Sequence, residues 1–220
     1  MKKILTGLLL LPFLAISCEK DPFATNNSGT FTDVRDNQAY AWVKIGTQIW
    51  MAENLAWLPA VSPPSVLSQA SPFFYVYGYN GANLTEARAT ANFTNFGVLY
   101  NWKAALTACP TGWHLPTDGE WEVLVEYLGG TAVAGKKMKS ISGWQQSGNG
   151  DNSSGFNAQP AGGLDHKYNF GGFGYLAAFF SANENNSATS WYRGLSFGED
   201  AVNRNSPDKS DGYSVRCLRD

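Results

Sequence analysis

Behind Lys2 and Lys3 an almost unbroken apolar run extends from Ile4 to Ile16 and stops at Ser17-Cys18. Such a run falls short of the roughly 20 residues that cross a bilayer and ends in small residues, the pattern of a cleaved signal peptide. From Glu19 to Thr30 apolar periodicity gives way to Pro22, Asn26, Asn27, Ser28 and Gly29, which predicts a flexible tether. Folding is expected after it. Val34, then Tyr40, Trp42, Val43 and Ile45, then Ile49 and Trp50 predict short strands over 31–51, with turns at Asp36-Asn37 and Gly46-Thr47.

From Leu58 to Phe96 no period is clear, and the stretch is long for a loop in a compact domain. Tyr75, Tyr77 and Tyr79 alternate as on a strand, more readily as a packed face than as an aromatic binding surface. The clearest element is a helix over Asp118–Leu128. Thr117 and Glu120 form its capping box, Gly129 its stop, and Trp121, Leu124, Val125 and Leu128 its apolar stripe. A shorter helix is expected over Asn101–Ala108. From Gly155 to Phe180 glycines interleave with aromatics, which suits tight turns and short strands, and Tyr213–Arg219 alternates as a terminal strand.

Composition narrows the class. Charged residues make up 15% of the 220 residues and the net charge is −2, which leaves no basic stripe for a nucleic-acid backbone. Lys136, Lys137 and Lys139 are the one basic cluster and read as a solvated face. Among three cysteines, Cys18 sits where a lipoprotein signal peptidase cuts, so residues 1–17 are expected to be removed and Cys18 acylated. An ordinary signal peptide with an incidental cysteine is the alternative. Several acyl chains anchor firmly, at about 0.8 kcal/mol per buried CH₂. Glu19, Lys20 and Asp21 resemble acidic export signals of surface lipoproteins, so the expected location is the outer membrane, facing outward. Cys109 and Cys217 then remain in an oxidising compartment and are expected to pair, two free buried thiols being the alternative.

Five ordered phrases carry a resemblance. They are Val43-Lys44-Ile45-Gly46-Thr47-Gln48-Ile49-Trp50-Met51-Ala52-Glu53-Asn54-Leu55, Leu99-Tyr100-Asn101-Trp102-Lys103-Ala104-Ala105, Cys109-Pro110-Thr111-Gly112-Trp113-His114-Leu115-Pro116-Thr117, Gly155-Phe156-Asn157-Ala158 and Val215-Arg216-Cys217-Leu218-Arg219-Asp220. Together they resemble the FISUMP family, the Fibrobacter succinogenes major paralogous domain, over roughly Thr30 to Asp220. That family looks like a branch of the C-type-lectin-like fold shared with formylglycine-generating enzymes. The resemblance implies an α+β, C-type-lectin-like domain over 31–220, with residues 18–30 as lipidated tether. Short twisted antiparallel strands, one or two helices and long Gly/Asn-rich loops are expected. It also implies that Cys109 and Cys217 tie the approach to the capped helix to the last strand.

Fold kinship carries no activity by itself. Formylglycine generators use reactive cysteines close together near the C-terminus, whereas this chain has only Cys217 there. His114 and His166 lack the spacing of zinc ligands, no GxSxG elbow is present, and the carboxylates have no acid–base pattern. The calcium-binding tripeptide of sugar-binding C-type lectins is also missing. No cofactor or metal is expected, and the enzyme reading ranks below a binding module.

The stretch Ser181–Gly212 is polar with an aromatic anchor, and the resemblance implies that it lies where C-type-lectin-like folds present their ligand face. The residues expected to contact a protein or glycan ligand are Asn183, Asn185, Trp191, Tyr192, Arg193, Ser196, Asp200, Asn203, Arg204, Asn205, Asp208 and Lys209. Many neighbouring residues are reachable from Asn codons by changing adenines alone, the mark of a variable protein diversified by a retroelement; an ordinary polar loop is the alternative. A burial site beneath the loops for Trp191, and a loop brace for Arg204, stay open. An assembly factor related to the formylglycine generators and a structural envelope protein are the competing classes.

Overall fold

The computed structural model describes residues 22–220. Cys18 and the expected export signal lie outside the described residues. One helical turn, α1 (Pro22–Thr25), leads into β1 (Ser28–Asp33), which pairs antiparallel with β2 (Gln38–Ile45) from Ser28↔Val43 to Asp33↔Gln38. The turn predicted at Asp36-Asn37 joins them. The next turn, Gly46-Thr47, leads to β3 (Gln48–Met51), and Gly46 has φ 62°, the left-handed conformation that a two-residue hairpin needs.

The folded part therefore starts before Phe31, and the tether expected to reach Thr30 is shorter. Phe23 lies 4.7 Å from the Trp42 ring centroid, and a Cβ on Gly29 would sit 2.9 Å from the same indole. The polar composition of 26–30 hid a strand because three of its six residues are exposed and only Asp33 is buried.

The stretch from Leu58 to Phe96 holds β4 (Phe74–Tyr75), α2 (Leu84–Arg88) and α3 (Ala91–Phe96). The strand expected from Tyr75, Tyr77 and Tyr79 is only these two residues, since Gly78 turns the chain at φ 74°. Next come β5 (Leu99–Tyr100) and α4 (Trp102–Ala108), capped by Asn101 Oδ1 accepting from Ala104 N–H at 3.0 Å. After β6 (Trp113–His114) comes α5 (Asp118–Tyr127), whose Thr117–Glu120 capping box is formed as the sequence predicts. The remaining elements are α6 (Thr131–Met138), β7 (Gly163–Leu164), β8 (Phe170–Gly171), β9 (Leu176–Glu184), β10 (Ser190–Ser196), β11 (Val202–Asn205) and β12 (Leu218–Arg219).

The architecture is α+β, with antiparallel pairings throughout its sheets. One sheet runs β1-β2-β3-β12-β6, a second β11-β10-β9, and two ribbons pair β4 with β5 and β7 with β8. The two expected helices are present as α4 and α5, and α1, α2, α3 and α6 among the described residues go beyond them. They are one- or two-turn pieces, too short to leave a clear 3.6-residue signature. The expected terminal strand is likewise two residues, because Tyr213 and Ser214 make isolated bridges to Tyr100 and Phe179 instead.

β9 explains how one chain builds two large cores. Phe179 and Phe180 are both buried and point to opposite faces, as successive strand residues must. Phe179 packs with Trp50, Trp121, Phe156 and Leu195, whereas Phe180 packs with Trp42, Met51, Tyr100 and Trp113. The disulfide Cys109–Cys217 ties the end of α4 to the approach to β12, with Cα atoms 5.8 Å apart. Lys139 corrects the solvated-face reading of the lysine cluster: it is 2% exposed and donates to Ser196 O and Glu199 O at 3.1 and 2.8 Å.

Candidate functional site

The residues expected to contact ligand fall largely on the β9–β11 sheet and the loop that follows it, and the structure divides them by burial. Four of them are committed within the protein: Arg193 and Lys209 are buried, Tyr192 is half-buried and Asn183 is exposed. Arg193 Nη1 donates to Asp118 Oδ1 at 2.5 Å, from β10 to the first residue of α5. Asn183 Oδ1 accepts from Asp118 N–H at 2.7 Å and so caps the same helix start. Lys209 is buried, paired with Glu184 at 3.0 Å, donating to Ser187 O at 2.9 Å and lying 4.8 Å from the Trp102 ring centroid. Tyr192 stacks on Tyr213 at 5.3 Å and packs on the Trp42 core.

The outward members are spread over both faces of the sheet and the turns around it. Arg204 donates through Nε and Nη2 to Asp118 and lies over Trp191, with its guanidinium carbon 3.3 Å from the ring centroid. Trp191 is half-buried under this roof and belongs to none of the apolar clusters, while Arg204 joins β11 to the first residue of α5. Asn185 is exposed and donates to Thr189 Oγ1 at 3.1 Å; Asn205 is exposed beside Tyr192 in the ladder. Asn203 Nδ2 donates to Glu199 at 2.5 Å, Asp200 is exposed, and Ser196 gives its carbonyl to Lys139. Asp208 accepts from Gln69 at 2.9 Å and from Ser210 Oγ at 2.6 Å. Burial works against its ionisation, but the Ser210 and Gln69 bonds more than offset this and hold the carboxyl below its usual range.

A second arrangement was not foreseen. Arg216 is fully buried and donates to no carboxylate among the described residues; it donates to Asn54 Oδ1 at 2.8 Å, Met51 O at 3.2 Å, Asn157 O at 2.8 Å and Phe156 O. Its guanidinium also lies 4.6 Å from the Phe156 ring centroid. Burial pushes its pKa down to about 9, with Glu53 opposing, so it stays charged at neutral pH. Three of the five sequence phrases, around Met51-Asn54, Phe156-Asn157 and Arg216, thus converge on one side chain.

A family model described as the Fibrobacter succinogenes major domain matches residues 43–219. The chain belongs to that family. Neither the curated proteins nor the solved structures contain a match to it. The matched span of the Fibrobacter succinogenes major domain takes in both the Asp118 network and the Arg216 hub, while β1 and most of the β1–β2 hairpin precede it. Sequence reasoning missed the hub because carbonyl acceptors carry no residue-type signal. The one available hint was that an arginine recurs amid apolar neighbours in Val215-Arg216-Cys217-Leu218, where a charge must be either exposed or fully hydrogen-bonded.

Proposed function

We propose that the chain is an outer-membrane lipoprotein, anchored through an acylated Cys18 and facing outward, whose C-terminal polar face binds a protein or glycan ligand without catalysis. A C-type-lectin-like arrangement of the domain is part of the same reading. The observation that supports it is the half-buried Trp191 covered by Arg204 on one face of the β9–β11 sheet, with Asn205 exposed on its other face and Asn185 exposed in the β9–β10 turn. An open sheet surface of polar side chains with a half-buried aromatic suits a macromolecular ligand better than a small molecule, which needs a concavity. Arg193 and Lys209 support this face from beneath.

Glycan and cell-surface protein arrays probed with the chain test the reading, alongside a Trp191→Ala, Asn185→Ala, Asn205→Ala triple variant. Ligand capture that the triple variant loses supports the face; capture that it retains places the ligand elsewhere. Protease shaving and fractionation of cells carrying Cys18→Ala test the anchor, which predicts release from the membrane. Diversification by a retroelement is proposed for exposed positions such as Gly198 and Asp200, since Ser190 and Gly194 are buried. A nearby DNA repeat differing from this gene only at adenines supports it, and the lack of one rejects it.

A further inference from the structure

A recess of about 140 Å³ lies between β2, the chain after β3, α3 and the 157–159 loop, and takes no wall from β9–β11. Its walls include Tyr40, Glu53, Asn95, Phe96, Asn157 and Gln159. At the liquid density of water it would hold about five molecules, the space of one small ring.

Its polar groups are unspent. The side-chain amides of Asn95, Asn157 and Gln159 make no hydrogen bond among the described residues, and each offers both donors and an acceptor. Glu53 commits only Oε2, which accepts from Ala41 N–H at 2.9 Å. Tyr40 is 1% exposed; its hydroxyl oxygen accepts from Ala56 N–H at 3.0 Å, while its own hydrogen meets no acceptor among the described residues. A buried donor left unpaired costs about 1–3 kcal/mol, so a polar occupant of the recess would relieve it.

The walls are held rigidly against one another. Asn54 donates to Phe96 O at 3.0 Å and accepts from Arg216, which in turn holds the carbonyl of Asn157 at φ 55°. Opposite sides of the recess are therefore fixed by one chain of bonds, so little ordering is left for a ligand to bring about. Phe96 is half-buried at the rim and makes an edge contact at 5.0 Å with Phe173, itself 38% exposed.

Charge selects the ligand. Glu53 is the one formally charged lining residue and disfavours an anion, whereas the Arg216 guanidinium behind the amides disfavours a cation. A neutral ligand with several hydroxyls and an apolar C–H face matches the carboxylate, the amides and the aromatic rim together. We infer that this recess binds one neutral sugar residue of a glycan, its hydroxyls shared among Glu53, Asn95, Asn157 and Gln159 and its C–H face against Phe96.

Saturation-transfer NMR tests this with the chain and the methyl glycosides of glucose, galactose, mannose, xylose and N-acetylglucosamine, with glucuronate and glucosamine as charged counterparts. The expected result is saturable binding of at least one neutral glycoside, in preference to both charged sugars. Asn95→Ala and Gln159→Ala should each weaken it about tenfold, as expected for a lost bond or two to a ligand hydroxyl. Neither side chain makes a hydrogen bond among the described residues, so both variants should melt as the parent chain does. Silence from every neutral glycoside, preference for a charged sugar, or unchanged affinity in the Asn95→Ala, Gln159→Ala double variant overturns the inference. These outcomes are independent of the β9–β11 face, whose variants leave the recess intact.

Discussion

Asp118 and Arg193 meet at 2.5 Å, and the contact spans 75 residues of chain. It pins the N-terminus of α5 to the middle strand of the β9–β11 sheet. Burial works against the ionisation of Asp118, but the bonds from Arg204 and Arg193 prevail and hold the carboxyl below its usual range. The helix start adds to this, since the positive end of the helix dipole favours a carboxylate there.

The two arginines on Asp118 should not be equivalent. Asp118→Ala leaves Arg193, 2% exposed, as a buried charge without its partner, at a cost of about 3–5 kcal/mol. Arg204→Ala removes an exposed partner and should cost about 1 kcal/mol or less. Urea denaturation of both variants measures the contrast, and equal losses would refute the assignment of Arg193 as the buried anchor.

Arg216 should tolerate no simpler cation. Arg216→Lys offers three donors from one point where a planar guanidinium reaches Asn54, Met51, Phe156 and Asn157 at once. At least one carbonyl is then left dry, and with the lost stacking on Phe156 the loss should exceed about 2 kcal/mol. The melting temperature of the oxidised variant, with Cys109–Cys217 intact, reports it; an unchanged value contradicts the hub.

The local part of this fold was legible in the sequence and the long-range part was not. Gly46-Thr47 and the Thr117–Glu120 box act within a few residues, and the structure has both where the pattern places them. Arg193 and Lys209, in contrast, look like ligand contacts in a polar segment, because Asp118 lies 75 residues before Arg193 and nothing local reveals the pairing. Arg216 draws on carbonyls 59 to 165 residues away, and a carbonyl is the same in every residue type. The recess at Glu53 and Gln159 escaped for the same reason: its walls come from four separate segments.

His114 should make stability fall on the alkaline side. Burial alone would lower its pKa, but the bonds to Asp220 at 2.5 Å and Glu120 at 3.0 Å outweigh that and raise it above 6.5. The folded state then holds the proton more tightly than the unfolded chain. Its stabilisation is complete below about pH 6.5 and fades as pH rises through the higher folded value. Because the pair is about one-third exposed, the effect should be about 1 kcal/mol or less. Urea midpoints between about pH 5.5 and 9 should show this slope in the parent chain and a flatter one in His114→Gln; identical slopes would argue against the bridge.

Asp211→Asn should stabilise the protein at neutral pH. Burial, reinforced by the neighbouring Asp208 charge, raises the Asp211 carboxyl to about 6 against an ordinary 3.8, with His166 opposing at 3.2 Å. Stability from the protonated form is thus fully present below pH 3.8 and lost as pH rises through about 6. Asparagine keeps a carbonyl acceptor for His166 and removes the buried charge, although Tyr213 loses its acceptor at 3.3 Å. The charge is worth about 3 kcal/mol and the tyrosine bond about 1, leaving a gain of about 2 kcal/mol above pH 7. The gain should vanish near pH 4, where both chains carry a neutral group at this position. Paired denaturation curves at the two pH values decide it: an asparagine variant no more stable at pH 7.5 than at pH 4, relative to the parent chain, would mean that His166 fully compensates the buried carboxylate.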